Sequence, residues 1–378
     1  MDAPLNKMLE SVEWGEYRLG DFFYIESTPS FNKDALTPGN EYDYVTRTSQ
    51  NQGILQSTGF VNEENLNDAG TWSLGLLQMD FFYRRRPWYA GQFVRKITPK
   101  IALTDGGVSF FSTILNKQKE ILLSVLVRDV DEVFRNITFS LPSCNGEVDY
   151  EFMERFIAKL NAQRLAKLNA YLTTTGLKDY TLTTEEEQII KDFEIGNVEW
   201  EEFDVTKVFE VCNAGNILAN EIVEGSGSTP YLCASRENNA VSSYISYREE
   251  LITEGNCIFI GGKTFVVTYQ ECDFFSNDSH NLTLRLYDSE HRTKLKHLYL
   301  ATCVTKSLGH KYSWGDSVSN RKIQKDKILL PCIHGQVDFS KMETFISAIQ
   351  KLVIKDVVLY ADREIEATKQ VINKTSSK

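Results

Sequence analysis

Two stretches of this sequence are versions of each other: GEVDYEFMERFI at residues 146–157 and GQVDFSKMETFI at residues 335–346. They lie 189 residues apart, and Pro142 and Pro331 ahead of them keep the same spacing. Similarity at a fixed offset is the sequence signature of a repeated structural unit. The stretches therefore predict that the 378-residue chain contains two related units.

Two further blocks support the duplication. VEWGEY at residues 12–17 returns as VEWEEF at residues 198–203, an offset of 186. Tyr44-Val45 with Asn51 matches Tyr231-Leu232 with Asn238 at an offset of 187. Three blocks recur in one order with a drift of only three residues, so we predict an ancestral unit copied in tandem. Because Trp14 and Trp200 recur in both copies, we expect them in the core.

Each unit is predicted to open with strands and to close with a long helix. Asp149 and Asp338 are good N-caps, and apolar residues follow each of them mostly at three- and four-residue steps. The second helix continues without Gly or Pro for about 35 residues, or roughly 50 Å. An apolar stripe of that length needs a partner, so we expect the two helices to pack antiparallel in a coiled-coil-like pair. The alternative is that each helix only covers the sheet of its own unit.

These patterns give the following division. A first domain at 1–148 is followed by a helix at 149–174, and a second domain at 198–337 is followed by a helix at 338–374. Between the halves lies an acidic linker at 175–197, in which Thr184 and Glu187 are spaced as a capping box for a short helix.

Composition indicates an ordinary globular chain with 42% hydrophobic and 25% charged residues, and a formal net charge of −11. That charge repels nucleic acid at long range. Its distribution is uneven, however: residues 84–100 hold six basic residues and no acidic one, and residues 288–327 hold nine basic against four acidic residues. A basic cluster is often only a solvated face, but one in each half favours a binding surface.

Several classes of protein are disfavoured. Seven cysteines without a Cys-x-x-Cys pair argue against disulfides and structural zinc, the longest apolar run at 121–127 is too short for a membrane span, and the start does not resemble a signal peptide. We expect a cytoplasmic protein. Gly262-Lys263-Thr264 lacks the leading Gly of a phosphate loop because residue 257 is Cys, and the five histidines have no metal-ligand spacing. We therefore expect a binding protein rather than an enzyme, with no metal or cofactor of its own.

Ordered motifs carry a family resemblance. They are Tyr44–Ile54 and Phe82–Gly91 in the first half, and Gly255–Gly262, Phe274–Asp278 and Lys311–Gly315 in the second. With these motifs the chain resembles the DNA-specificity (S) subunits of type I restriction–modification systems, and especially the related type IIB subunits. The first half departs from the pattern, because it lacks the Lys-Tyr-Ser-x-Gly stretch that the second half has at Lys311–Gly315.

The resemblance implies an α+β fold with two repeated α/β target-recognition domains, separated by a pair of long antiparallel helices with pseudo-twofold symmetry. It implies double-stranded DNA as a ligand, with each domain reading one half of a split sequence. It also implies docking of DNA adenine methyltransferase subunits on the helices and, in type I systems, of a motor-nuclease restriction subunit. S-adenosylmethionine would then belong to the methyltransferase partner.

Candidate DNA contacts follow from groove chemistry, in which Lys and Arg hold phosphates and polar side chains read base edges. The aromatics Tyr83, Trp88, Tyr89 and Trp314 are candidates to pack beside sugars or bases, with burial in the core as the alternative. The candidate DNA-binding residues are Arg47, Gln50, Asn51, Arg84, Arg85, Arg86 and Lys96 in the first half and Arg236, Asn238, Asn239, Lys294, Lys306, Lys311, Tyr312, Arg321 and Lys322 in the second.

The sequence thus predicts a non-catalytic specificity subunit that recognises an asymmetric, two-part DNA site. A second hypothesis uses the acidic charge instead: a pseudo-symmetric protein-binding scaffold, or an anti-restriction decoy, that does not bind DNA.

Overall fold

The computed structural model describes the backbone of residues 3–376 and the side chains of residues 3–367. The chain divides into two compact units, residues 1–168 and residues 169–378. Both units have a mixed α/β architecture, and their elements follow each other in nearly the same order. The predicted duplication is confirmed.

Helices open and close each unit. None of the described helices is long and apolar enough to span a membrane. The helices are α1 (Ala3–Ser11), α2 (Leu19–Phe22), α3 (Asp105–Lys117), α4 (Lys119–Leu123), α5 (Val130–Asn136), α6 (Tyr150–Thr174), α7 (Thr184–Glu194), α8 (Val205–Val208), α9 (Lys294–Leu308), α10 (Asn320–Ile323) and α11 (Phe339–Ser376).

All the described strands of each unit lie between its first and last helix. In the first unit they are β1 (Glu13–Arg18), β2 (Phe23–Ser27), β3 (Tyr42–Val45), β4 (Ile54–Thr58), β5 (Leu66–Asn67), β6 (Thr71–Gly75), β7 (Asp80–Arg84), β8 (Trp88–Ala90), β9 (Val94–Pro99), β10 (Thr138–Cys144) and β11 (Glu147–Val148). In the second unit they are β12 (Trp200–Asp204), β13 (Phe209–Asn213), β14 (Thr229–Leu232), β15 (Val241–Ile245), β16 (Cys257–Ile260), β17 (Val267–Gln270), β18 (Phe275–Ser276), β19 (Leu282–Leu286), β20 (Lys327–Ile333) and β21 (Gln336–Val337).

Three sheets recur in each unit. The sheet next to the closing helix has the order β1-β10-β11 in the first unit and β12-β20-β21 in the second. The central sheet has the order β2-β9-β6-β7 or β13-β19-β16-β17. The third sheet contains a parallel pair, β3 with β8 or β14 with β18, and an antiparallel pair, β3 with β4 or β14 with β15. The matching strand orders mean that equivalent loops lie in equivalent places.

The central sheet is buried because a helix covers it. In the first unit Trp72 and Leu74 on β6 are fully buried, and the Trp72 indole donates a 2.9 Å hydrogen bond to Ser112 on α3. In the second unit all four residues of β16 are buried: Ile258 and Ile260 pack with α9, and Cys257 and Phe259 pack on the other face with Leu232 and Phe274. Burying such side chains is the main stabilisation of a domain, at about 25 cal/mol per Å² of apolar surface.

The expectation that Trp14 and Trp200 belong to the core is wrong. Their side chains are 47% and 41% exposed. Both lie on an edge strand of a sheet, where Trp14 pairs with Pro142 and Trp200 pairs with Pro331. Successive residues of a strand point to opposite faces of the sheet. In β1 it is Gly15 and Tyr17 that are half-buried, so Trp14 points away from the core.

The helix that opens each unit packs on the helix that closes it. In the first unit Leu5 of α1 is buried with Phe152 and Phe156 of α6. In the second unit the Phe193 ring of α7 lies 4.0 Å from the Phe345 ring of α11, measured between centroids. The residues predicted as an acidic linker thus include a helix that packs like α1.

The capping box of α7 is shifted by one residue from the predicted Thr184–Glu187. The Thr183 hydroxyl accepts from the Glu186 amide, and the Glu186 carboxylate accepts from the Thr183 amide at 2.8 Å. Two threonines followed by three glutamates allow either register. The chosen register is the one that buries Glu186 against α11, where it accepts hydrogen bonds from Ser347 (2.6 Å) and Lys351 (2.7 Å).

Replacing Glu186 by glutamine should destabilise the second unit by about 2 kcal/mol, because a buried, charge-assisted network is lost. Burial alone would raise the pKa of Glu186, but the hydrogen bonds from Lys351, Ser347 and the Thr183 amide hold it below the ordinary value. Since the folded pKa is the lower one, the contribution is present above the ordinary glutamate pKa and is lost as pH falls through the folded value. Denaturant unfolding at pH 7 and pH 3 measures both effects. The exposed neighbour Glu187→Gln is the control, and equal stability of the two variants at pH 7 would contradict the assignment.

Candidate nucleic-acid interface

One hairpin loop has the same backbone in both units. The first hairpin loop, residues 46–53, joins β3 to β4, and the second hairpin loop, residues 233–240, joins β14 to β15. Each loop ends in three consecutive residues with positive φ, between 46° and 78° in residues 51–53 and between 47° and 68° in residues 238–240. An amide-to-carbonyl hydrogen bond closes each loop, at 2.8 Å in the first and 2.9 Å in the second. Three successive left-handed residues are uncommon outside glycine, so this conformation is a shared feature of the duplicated unit.

Asparagines stabilise the left-handed turns, since their short amides bond the local backbone. The side-chain amide of Asn51 donates to the Ile54 carbonyl at 3.2 Å, and that of Asn238 donates to the Val241 carbonyl at 3.0 Å. Asn239 donates to the Tyr269 carbonyl at 3.0 Å. The amide nitrogens of these three residues, which were predicted to read bases, thus hold the loop, while the residues themselves remain exposed.

A glycine lets each hairpin loop lie directly on the central sheet. A Cβ atom on Gly75 would approach the Cα atom of Arg47 to 2.9 Å, and one on Gly261 would approach the Cα atom of Ala234 to 2.9 Å. Real Cβ atoms do not come this close to backbone, so only glycine fits at these two positions without moving the loop. The start of each loop is therefore fixed at the end of β6 or β16.

The other end of each loop is held from the edge strand of the central sheet. Arg84, at the end of β7, is buried and donates to the Gln52 carbonyl and to the Ser73 hydroxyl, the latter at 2.9 Å from Nε. Gln270, at the end of β17, is also buried and donates to the Asn239 carbonyl at 2.9 Å. Arg84 and Gln270 thus donate to equivalent loop carbonyls in the two units, although they are different residue types.

Arg84 is therefore not the phosphate contact that the sequence predicted. Its side chain is 2% exposed, and burial lowers the pKa of its guanidinium to about 10, although Asp43 acts in the opposite direction. The prediction failed because Arg84 lies among other arginines in sequence. Charge counting does not reveal that β7 turns this one inward.

The rest of the first basic stretch is largely paired with acidic residues from elsewhere in the unit. Arg86 bonds the buried Asp43 and the Asn40 carbonyl, and Arg95 bonds Asp131 at 2.8 Å. Lys96 lies 3.7 Å from Glu26, and the exposed Arg85 lies 3.1 Å from Asp105. Residues 84–100 do not form the open cationic patch predicted from their local composition.

The second basic stretch is spread over both ends of α9, which is roughly 22 Å long at 1.5 Å per residue. Lys294 begins the helix and pairs with Glu271 at 2.8 Å, while Lys306 lies near its end, beside Trp200. The prediction that residues 288–327 form one basic patch is therefore wrong.

A loop at residues 309–319 carries the part of this stretch that lies near the second hairpin loop. The Val318 amide donates to the Gly262 carbonyl at 3.1 Å, which places the loop against the β16–β17 turn. Its Trp314 side chain is 75% exposed. Lys322 bonds Asp316 and the Ser317 carbonyl, and Arg321 is exposed.

Tyr312 anchors this loop and is not a surface contact as predicted. It is buried, donates its hydroxyl to the buried Asp326 and stacks on Phe265 with 5.1 Å between ring centroids. Burial and the bond to Asp326 raise the pKa of Tyr312. Lys311 also bonds Asp326 but keeps about half of its side chain exposed.

In the first unit the hairpin loop borders a cleft of about 450 Å³. The Arg47 guanidinium lies over the Phe93 ring, 5.3 Å from its centroid, and Leu77 lines the same cleft. Both Leu77 and Phe93 are more than half exposed. Sequence reasoning missed them because an isolated apolar residue is ordinarily predicted to be buried.

In the first unit Leu77 lies on the turn between β6 and β7. The equivalent turn of the second unit, between β16 and β17, carries a charged residue, Lys263. Lys263 bonds Asp278 at 3.0 Å, and His280 bonds the same carboxylate at 2.8 Å. Burial would raise the pKa of Asp278, but these hydrogen bonds lower it to about 2. The fragment Gly262-Lys263-Thr264, dismissed as a phosphate loop, lies beside the second hairpin loop, where Thr264 donates to the Ala234 carbonyl at 2.9 Å.

The remaining aromatic candidates lie in the core. Trp88 and Tyr89 are fully buried, and the Tyr83 ring packs on Trp72 with 4.7 Å between centroids. Among the described residues, no group of three or more His, Cys, Asp or Glu side chains is placed to hold a metal ion.

The comparison with known families decides the identity of the fold. The type I restriction modification DNA specificity domain matches residues 11–170 and again residues 197–359. The chain belongs to this family. Its members are the non-catalytic DNA-specificity components of restriction–modification systems, so the expectation of a specificity subunit rather than an enzyme is confirmed.

The chain is also similar to two individual proteins. Over 154 residues the chain is 24% identical to the specificity subunit S.BcgI of a type II restriction enzyme from Heyndrickxia coagulans, an alignment that covers 40% of this chain and 44% of that protein. The chain thus spans less than half of this curated relative. The crystal structure of a type I restriction–modification S subunit from M. genitalium matches with a TM-score of 0.56 and 13% identity, over 96% of this chain and 95% of that one. The similarity to the M. genitalium structure supports the fold alone.

Proposed function

We propose that the two hairpin loops read the two halves of a split DNA target. The observation that carries this proposal is that the loops share one backbone and differ in their exposed side chains. Arg47, Ser49 and Gln50 of the first loop correspond to Ala234, Arg236 and Glu237 of the second at the offset of 187. A scaffold that is kept while its exposed side chains change is suited to reading different sequences.

The exposed residues have the chemistry for base recognition. Arg47 and Arg236 match the O6 and N7 acceptors of guanine, Gln50 matches the N6 and N7 atoms of adenine, and Glu237 can accept from N4 of cytosine. Gln50 and Glu237 occupy equivalent positions, so the two half-sites should differ there. The target is therefore asymmetric.

Phosphate contacts position such a reader, and they come from the residues around each loop. In the second unit Lys263 lies on the turn that contacts the loop, and Lys311, Arg321, Lys322 and the exposed Trp314 lie on or next to residues 309–319, which contact that turn. The net charge of −11 opposes binding by the chain alone. We therefore propose that DNA adenine methyltransferase subunits, which would carry S-adenosylmethionine, and in a type I assembly a restriction subunit, complete the complex in the cytoplasm.

The long helices set the distance between the half-sites in this proposal. α11 has 38 residues, or roughly 57 Å. We propose that α6 and α11 together act as the spacer that fixes this distance. One turn of duplex spans about 34 Å, so a helix of the length of α11 is longer than one turn.

The test uses the purified chain with its methyltransferase subunit. We expect a shift of duplex DNA whose affinity falls steeply between 50 and 200 mM salt, because several phosphates are contacted. Mapping methylated adenines over a genome should give one split motif with an unspecified spacer. A scaffold or decoy would give no salt-sensitive shift and no modified motif despite an active methyltransferase, and that result would overturn the proposal.

A further inference from the structure

An apolar patch formed by Leu77 and Phe93 lies beside the first hairpin loop. Leu77 is 58% exposed and Phe93 is 52% exposed. Backbone contacts bring both residues to Arg47: the Leu76 amide donates to the Phe93 carbonyl at 2.9 Å, and Gly75 packs on the backbone of Arg47. Two large apolar side chains therefore stand in solvent next to a residue that is proposed to read guanine.

The backbone of Phe93 is held in a conformation that its side chain disfavours. Its φ is 61°, in the left-handed region that a bulky residue rarely adopts, whereas asparagine or glycine fits there with less strain. The exposed ring packs on the Arg47 guanidinium, with 5.3 Å between Cζ and the ring centroid. Strained residues are concentrated at binding and active sites, so the strain at Phe93 indicates that its ring has a function beyond folding.

The turn that carries Leu77 has the same backbone in the second unit. Met79 and Phe265 both have positive φ, at 53° and 51°, and the amide of each donates to the carbonyl of the glycine four residues earlier. This match aligns the turns at an offset of 186 and places Leu77 with Lys263. One exposed position on a shared turn is therefore apolar in one unit and cationic in the other.

The segment that carries Phe93 differs in the same sense. Gly91 and Asn277 donate to the last carbonyl of β3 and of β14, at 2.8 Å and 3.1 Å, which aligns the segments that follow. Where the first unit has Phe93, the second has a cluster in which Asp278 bonds His280 and the lysine of the turn. The shared fold accommodates an apolar patch or a charged cluster at this place, so packing alone does not require the patch.

DNA offers a partner for an apolar patch beside an arginine. The C5-methyl group of thymine lies in the major groove, at the same edge as the O6 and N7 acceptors of guanine, and apolar side chains contact it. A phosphate would instead favour a cation such as Lys263, and its approach would cost desolvation against Leu77 and Phe93. The chemistry of the patch thus fits a thymine methyl group rather than the DNA backbone.

We propose that Leu77 and Phe93 contact the C5-methyl group of a thymine adjacent to the guanine read by Arg47. This inference rests on the proposed function and specifies one base of the first half-site. Phe93 also packs on the Arg47 guanidinium, so it positions the guanine contact as well as making the methyl contact.

The experiment measures duplex binding by the complex of the full-length chain with the methyltransferase subunit. Arg47→Ala identifies the first half-site, because this variant loses the preference for the guanine. Each thymine of that half-site is then replaced, one at a time, by deoxyuridine, which removes only the methyl group. One replacement, next to the guanine, should weaken binding about fourfold, which corresponds to about 0.8 kcal/mol for burial of one methyl-sized group.

Three variants assign the effect to the patch. Leu77→Lys gives the turn the residue of the second unit and should bind the thymine and uracil duplexes equally well. Phe93→Asn should also lose the difference, and because asparagine suits a left-handed backbone, its thermal stability should equal or exceed that of the wild type. Leu126→Lys is the matched control: Leu126 is 60% exposed and lies between α4 and α5, outside the cleft, so this variant should keep the fourfold difference.

The outcomes separate this inference from the proposed function. If no uracil replacement next to a guanine weakens binding, or if Leu77→Lys keeps the difference, the inference is overturned while preference for a split site still supports the proposed function. If Leu77→Lys weakens binding of the methyltransferase subunit and leaves the thymine–uracil difference unchanged, the patch is a protein contact and the inference is likewise overturned. If the wild-type complex shows no sequence preference, the proposed function fails and the inference fails with it.

Discussion

Replacing Arg84 by methionine should destabilise the first unit by about 3 kcal/mol and remove discrimination at one half-site. Methionine fills most of the volume but cannot donate to the Gln52 carbonyl or the Ser73 hydroxyl, and each buried acceptor left unpaired costs about 1–3 kcal/mol. The left-handed residues 51–53 then lose the bond that holds them against β7. Binding of duplexes that vary in only one half-site, together with denaturant unfolding, measures both effects.

The second unit supplies the matched experiment. Gln270→Leu removes the equivalent bond to the Asn239 carbonyl, so it should relax the other half-site and leave the first unchanged. Arg85→Ala is the surface control, since its ion pair with Asp105 is largely exposed and such pairs contribute about 0–1 kcal/mol. Loss of selectivity at both half-sites from either buried substitution would contradict the assignment of one loop to each half-site.

The duplication and the closing helices could be predicted because they depend on local rules. Residues 146–157 and 335–346 keep the turn glycine, the capping aspartate and the apolar spacing of the helix that follows. The structure has helices at Tyr150–Thr174 and Phe339–Ser376, where that spacing indicates them. The alignment of the two hairpin loops at an offset of 187 also holds, because three left-handed residues at equivalent positions close both loops.

The errors share a different cause: they depend on which face of an element meets the rest of the unit. Arg84 is interior and Trp14 is exposed, the reverse of what residue type and recurrence indicate. The acidic partners of the first basic stretch, such as Asp131 for Arg95, are distant in sequence, so local charge counting overestimates the patch. Trp14 recurs as Trp200, and recurrence reports a shared constraint without specifying burial.

The capping box of α7 failed for a related reason. Thr183 and Thr184 are equally able to cap, and the preference for Thr183 comes from the bonds of Glu186 to Ser347 and Lys351, more than 150 residues away. A tertiary contact therefore decides a local choice. The same holds for Gln270, which carries no charge and gives no sequence signal, yet holds the second hairpin loop.

Exchanging one hairpin loop should change one half of the DNA target. The two loops have equal length, the same closing hydrogen bond and left-handed residues at the same three positions, so residues 46–52 can be replaced by the sequence of residues 233–239, with Gly53 kept because its φ is 78°. The graft replaces Gln50 by Glu, which removes the group that matches adenine, and it replaces Arg47 by Ala and Ser49 by Arg, which moves the guanine-matching group by two positions. Selection of bound duplexes from a randomised pool, with the methyltransferase subunit present, gives the preferred sequence of each half-site.

For the wild-type chain this selection should return two unlike half-sites around an unspecified spacer. For the graft it should return one unchanged half-site and one altered half-site at the same spacing. A contiguous motif from the wild-type chain, or a graft that selects the wild-type sequence in both halves, would contradict the claim that the two hairpin loops read DNA separately.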